Sequence, residues 1–142
     1  MLQADIHKQL TQKKACADAL LQLLDQESTA IIRGDVDELG QLTKNKKQRV
    51  DELGELGPQM QQWLKQRSLD EWLQRQSAPV QSSWQQLSES LKLCRRKNDA
   101  NGLLIDQRQQ EIEQRLRPME AGTYGQQGEN QTQQGNSLSF TA

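Results

Sequence analysis

A chain of 142 residues carrying a net charge of −1, with 33% hydrophobic and only 4% aromatic residues, has the size of one domain but little material for a wide core. That balance excludes a general nucleic-acid or anionic-membrane binder, which needs a large positive excess, and the longest apolar run falls far short of a membrane span. Helices sharing a thin apolar seam meet these limits, because such a seam uses two or three positions in seven where a sheet face uses every second residue.

The opening residues, Met1-Leu2-Gln3-Ala4-Asp5-Ile6-His7, lack the basic-then-apolar layout of a secretory signal, so a cytoplasmic protein without membrane insertion is expected. From about residue 4 to 33 there is no proline or glycine. Ile6, Leu10, Ala17, Leu20, Leu24 and Ile31 recur there at steps of three, four and seven, which predicts a long amphipathic helix. Gly34 suits the left-handed end of that helix, and Asp35, with Glu38 three residues later, opens the next one. Val36, Leu39, Leu42, Lys46, Val50 and Leu53 carry the rhythm through residues 36–56, so the two helices should fold back as an antiparallel hairpin ended or kinked by Gly57-Pro58.

Over residues 59–76 the pattern shortens. Met60, Trp63 and Leu64 make one short helix, and a Ser68…Glu71 capping box opens another with Leu69, Trp72 and Leu73. Trp63, Trp72 and Trp84 are expected to plug one end of the bundle. Ser77-Ala78-Pro79 then starts the longest periodic stretch, over residues 79–117 and roughly 55 Å long at the usual helical rise. Along it Val80, Trp84, Leu87, Leu91, Cys94, Asn98, Asn101, Ile105, Arg108 and Ile112 keep four-three spacing, a seam whose second half turns polar. Pro118 closes the helix, and residues 119–142 are rich in glycine, glutamine and serine without periodicity, which predicts a flexible tail. The expected fold is therefore all-α: an elongated antiparallel helical hairpin or bundle over residues 1–118 with one long C-terminal helix, then a disordered tail.

Catalysis has little to work with. His7 has no acidic or hydroxyl partner at relay spacing in the sequence, and Glu111 and Glu113, two apart, point to different sides of a helix. No phosphate-binding glycine loop and no Glu-x-x-His metal motif occurs, so neither cofactor nor metal is expected. Cys16 and Cys94 are isolated and read as small buried hydrophobes. The basic runs at residues 44–49 and 95–97 are offset by Asp51, Glu52 and Asp99 and read as solvated faces.

The break in the long seam at Asn98, Asn101, Gly102 and Arg108 is more informative. A helical glycine costs roughly 1 kcal/mol against alanine, and seam asparagines forgo apolar burial. Two explanations stay open: register control or close helix approach inside the chain's own bundle, or a stretch left for a partner's amphipathic helix. The tail holds the single tyrosine, Tyr124, and the single phenylalanine, Phe140, either of which could anchor docking.

In the hairpin Leu20-Leu21-Gln22-Leu23-Leu24 with Glu27, then Gly34-Asp35, Leu39, Leu42 and Lys46-Lys47, and later Asn98 with Asn101-Gly102-Leu103-Leu104-Ile105 followed by Thr123-Tyr124-Gly125 and Gly128, together resemble the FlgN family of flagellar export chaperones. The resemblance implies a non-enzymatic, cytoplasmic protein that holds the hook-associated proteins FlgK and FlgL by their C-terminal helices and hands them to the type III export gate. It places cargo contact on Asn98, Asn101, Gly102, Ile105, Arg108, Ile112 and Leu116, and docking on the cytosolic domain of the gate protein FlhA on Tyr124. A monomer or weak homodimer is expected. The rival expectation is a homo-oligomeric coiled-coil scaffold without an export role.

Overall fold

The computed structural model describes residues 2–116; the expected tail, with Tyr124 and Phe140, lies outside them. The described residues form helices and no strand: α1 (Leu2–Arg33), α2 (Val36–Gly54), α3 (Leu56–Leu64), α4 (Leu69–Gln74) and α5 (Ala78–Leu116). None is long and apolar enough to cross a membrane.

The periodicity of the first helix is the periodicity of its burial, since Ile6, Leu10, Ala17, Leu20, Leu24 and Ile31 are all buried. Gly34 ends α1 at φ +72°, a region that costs glycine nothing. Its N–H donates to Ile31 O at 3.1 Å and that of Asp35 to Ala30 O at 3.0 Å, the paired bonds that satisfy a helix's last carbonyls. Asp35 serves both helices, because its carboxylate also accepts the Glu38 N–H at 3.0 Å and caps α2. A reversal this short makes α2 antiparallel to α1. Lys13 accordingly reaches Glu52 O at 2.6 Å, and the Cys16 thiol donates to Arg49 O at 3.4 Å.

Gly57-Pro58 does not end α2. The break comes earlier, at Gly54-Glu55, and the pair falls inside the first turn of α3, where proline's missing N–H has no intrahelical acceptor to lose. Both halves of the Ser68/Glu71 capping box form at α4, and the bonds from Ser68 hold the Glu71 carboxyl below its ordinary range. Trp63 and Trp72 stack with ring centroids 5.9 Å apart and, with Met60 and Trp84, close the end of the core opposite the Gly34 turn.

With α2 carrying the chain back and α3 and α4 turning it, α5 runs parallel to α1. Its start is tied to the start of α1: Gln3 accepts from the Ser77 N–H at 2.8 Å and donates to Gln76 at 2.6 Å. Further along, the Ser83 hydroxyl meets His7 Nδ1 at 2.6 Å, the Cys94 thiol donates to Ala17 O at 3.4 Å, and Lys97 pairs with Asp25 at 2.7 Å. His7 thus has a hydroxyl partner that sequence spacing did not disclose. Ser83 is buried between the two helices, so the contact marks their register. Both cysteines are free and buried; burial pushes the Cys94 thiol up to about 12 and raises that of Cys16 as well, so each packs as a neutral hydrophobe.

Candidate functional site

Along α5 the seam changes character in three steps. Val80, Trp84, Leu87, Leu91 and Cys94 are buried against α1, as apolar seam positions should be. Asn98 and Asn101 are buried too. Ile105 and Arg108 are half-buried, and every residue from Gln109 to Leu116 is exposed.

The two asparagines are bonded within the bundle. Asn101 Nδ2 donates to Leu24 O and to Glu27 Oε1, each at 2.9 Å. Glu27, itself buried, also receives Lys46 at 2.9 and 3.2 Å, and Lys46 donates again to Asn98 Oδ1 at 3.1 Å. One polar cluster therefore joins α1, α2 and α5. Each group answers a neighbour's need: the carboxylate would be costly to bury without the ammonium, and both need further partners because little water reaches them. Of the two explanations for seam asparagines, internal register is the one whose hydrogen bonds are present in these helices. Sequence reasoning missed the cluster, although a trace of it was there. Glu27 falls in the three-four rhythm between Leu24 and Ile31, and Lys46 in that between Leu42 and Val50, so each helix has polar residues where apolar ones belong.

Gly102 does not serve close packing, because a Cβ built there meets nothing within 4 Å. Gly102→Ala should accordingly raise stability by about 1 kcal/mol through helix propensity alone, read as a higher urea midpoint at an unchanged slope. A lower midpoint would mean that the backbone at Gly102 departs from helix during function or folding.

The open part of α5 begins at the Gly34 turn. A Cβ on Gly34 would lie 3.5 Å from the Arg108 guanidinium, so the tip of that side chain reaches the end of α1, and the last eight residues of α5, all exposed, are not covered by the hairpin. Arg108 there also contacts Glu111 at 3.5 Å. Ile112 and Leu116 follow Ile105 by seven and eleven residues, which keeps them within about 20° of the seam direction. They are 53% and 43% exposed, so the stripe buried in the bundle continues past it uncovered. Leu103, nine residues before Ile112, emerges on the opposite side of the helix. Around the turn itself Ile32 and Val36 are 61% and 76% exposed. Tyr124, expected to dock elsewhere, lies outside the described residues.

Comparison with known proteins bears out the family resemblance. The family model described as FlgN protein matches residues 1–132, nearly the whole chain and including Tyr124. No curated protein and no solved structure matches. Residues that lie apart in the sequence and carry the resemblance, namely Glu27, Lys46, Asn98 and Asn101, are the members of the cluster that joins the three long helices.

Proposed function

This chain belongs to the FlgN family, whose members are flagellar export chaperones, and from that premise we propose that it binds the C-terminal helical region of the hook-associated proteins FlgK and FlgL in the cytoplasm, keeps them from premature assembly, and delivers them to the export gate. The observation that carries the proposal is the uncovered continuation of the α5 seam through Ile112 and Leu116. A cargo helix laid along it buries apolar surface on both sides at roughly 25 cal/mol per Å², and by mass action lowers the concentration of cargo free to self-associate. No chemical step, metal or cofactor is involved.

The sequence-level site divides into two roles. Ile105, Arg108, Ile112 and Leu116 meet the cargo; Asn98 and Asn101, through Glu27 and Lys46, hold α5 on the hairpin so that the overhang projects in a fixed direction. Gly102 lies between the two regions with open space around it. Tyr124 docks on the cytosolic domain of FlhA.

A pull-down comparing full-length hook-associated protein with the same protein lacking its C-terminal helix tests the assignment, with capture expected only for the former. Equal capture of both overturns it. Tyr124→Ala should preserve cargo capture and weaken FlhA binding, whereas the opposite pattern reverses the roles. Because the same uncovered stripe could be covered by a second copy, sedimentation is the companion measurement. A tight homo-oligomer that excludes cargo would favour a scaffold instead.

A further inference from the structure

We propose that the tip of the α1–α2 hairpin is the second wall of the partner site, and that the step it makes with the α5 overhang selects an amphipathic helix flanked by lysine or arginine. The inference rests on the overhang being where the partner binds, and adds which other residues touch the partner and what charge the partner bears.

The step follows from register. The Arg108 guanidinium reaches Gly34, and Ile112 and Leu116 follow Arg108 by one and two turns, on the side of α5 that faces α1 lower down. Ile32 and Val36 sit two residues before and after Gly34 and are the other large exposed apolar side chains at this level. Two such groups at the turn and two on α5 beyond the arginine that reaches it, in a chain with so little apolar material, are apolar surface that water solvates poorly and that a helix lying across both elements would cover.

Charge identifies the occupant. Asp35, Asp37 and Glu38 lie at the tip, while along the end of α5 Asp106 and Glu113, seven apart, share one flank of the stripe and Glu111 takes the other. Against these stand Arg33, Arg108 and Arg115, and Arg108 is already in contact with Glu111. The rim is thus acidic, and it favours basic flanks on the partner while repelling acidic ones. The chain's own C-terminal segment is the wrong match, since residues 117–142 contain Glu120 and Glu129 against Arg117.

Two labelled synthetic amphipathic helices with the same leucine stripe, one flanked by lysines and one by glutamates, make the test when titrated with the full chain by fluorescence anisotropy. The lysine-flanked helix should bind about tenfold more tightly at low salt, a preference that collapses near 0.5 M salt. Ile32→Gln with Val36→Gln removes apolar surface without changing charge and should weaken that binding about tenfold, with the melting temperature unmoved because both side chains are exposed. Equal affinity for the two helices, or binding of neither, overturns the proposal. So does full affinity in the Ile32→Gln/Val36→Gln chain when Ile112→Gln/Leu116→Gln abolishes binding; the overhang then acts alone and the cargo assignment stands. Tighter binding after Tyr124→Ala and Phe140→Ala would make the tail the occupant and overturn it as well.

Discussion

Glu27→Ala is expected to lower the unfolding free energy by about 3 kcal/mol, a large share of what a domain of this size possesses. The reason lies in what it leaves behind. The Lys46 ammonium, its side chain only 15% exposed, would lose two carboxylate contacts, and the Asn101 amide would lose one of its two acceptors. Removing one member of a buried pair strands the other in a medium that solvates charge poorly, at a cost of roughly 3–5 kcal/mol. Lys46 retains enough exposure to reach some water, which sets the lower end of that range. Lys46→Met should cost a similar amount by stranding Glu27.

The double variant Glu27→Leu/Lys46→Met removes both charges and fills their volume, so it should cost much less than the sum, with a coupling of about 2 kcal/mol or more. Urea unfolding followed by the fluorescence of the buried Trp63, Trp72 and Trp84 reads all three values. A loss below about 1 kcal/mol in both single variants would mean that the cluster is solvated and does not set how α5 sits on the hairpin.

Cargo affinity should show the converse pattern. Ile112→Gln with Leu116→Gln touches no buried contact, so stability should stay within about 0.5 kcal/mol of the parent. If a cargo helix covers both side chains, already about half covered, each contributes roughly 0.8–1.5 kcal/mol, and their loss should weaken binding by about one to two orders of magnitude. Isothermal titration with a hook-associated protein measures it. The heat-capacity change should become less negative in the variant as the apolar area leaves the interface. Unchanged affinity would move the cargo site away from the overhang and leave its exposed stripe without a role in capture.

The two experiments separate two properties that lie on one helix. From Val80 to Asn101, α5 is part of the molecule's own core; from Gln109 on, it is surface. Glu27, Lys46 and the asparagines stand at the boundary, where an apolar seam would have been stickier but less particular about register. A polar cluster bonded across three helices is satisfied in one alignment only, and a slip by a turn would strand every member of it.

Much of this was legible in one dimension. Helix periodicity is a local property, repeating every 3.6 residues, so the seams of the long helices, the capping residues Asp35 and Ser68, and the turn glycine Gly34 could all be read from neighbours a few positions away. Burial of Cys16 and Cys94 followed from their isolation as small apolar residues, and that of the three tryptophans from their clustering around the short helices. The polar seam residues were visible one by one, and the family motifs that contain them were recognisable as a set.

What the tertiary structure decided is alignment between helices distant in the chain. The parallel course of α5 along α1 depends on how far α2 carries the chain back and how α3 and α4 turn it, and no local pattern encodes that sum. It alone brings Ser83 to His7, assembles Glu27 with Lys46, Asn98 and Asn101, and sets Arg108 opposite Gly34. By itself the sequence determined which stripe of each long helix faces inward, though not where the stripe ends, since Val36, in the rhythm of α2, is exposed beside the turn. Whether an inward-facing stripe meets its own hairpin or runs on beyond it is a matter of length and register, settled only when the helices pack.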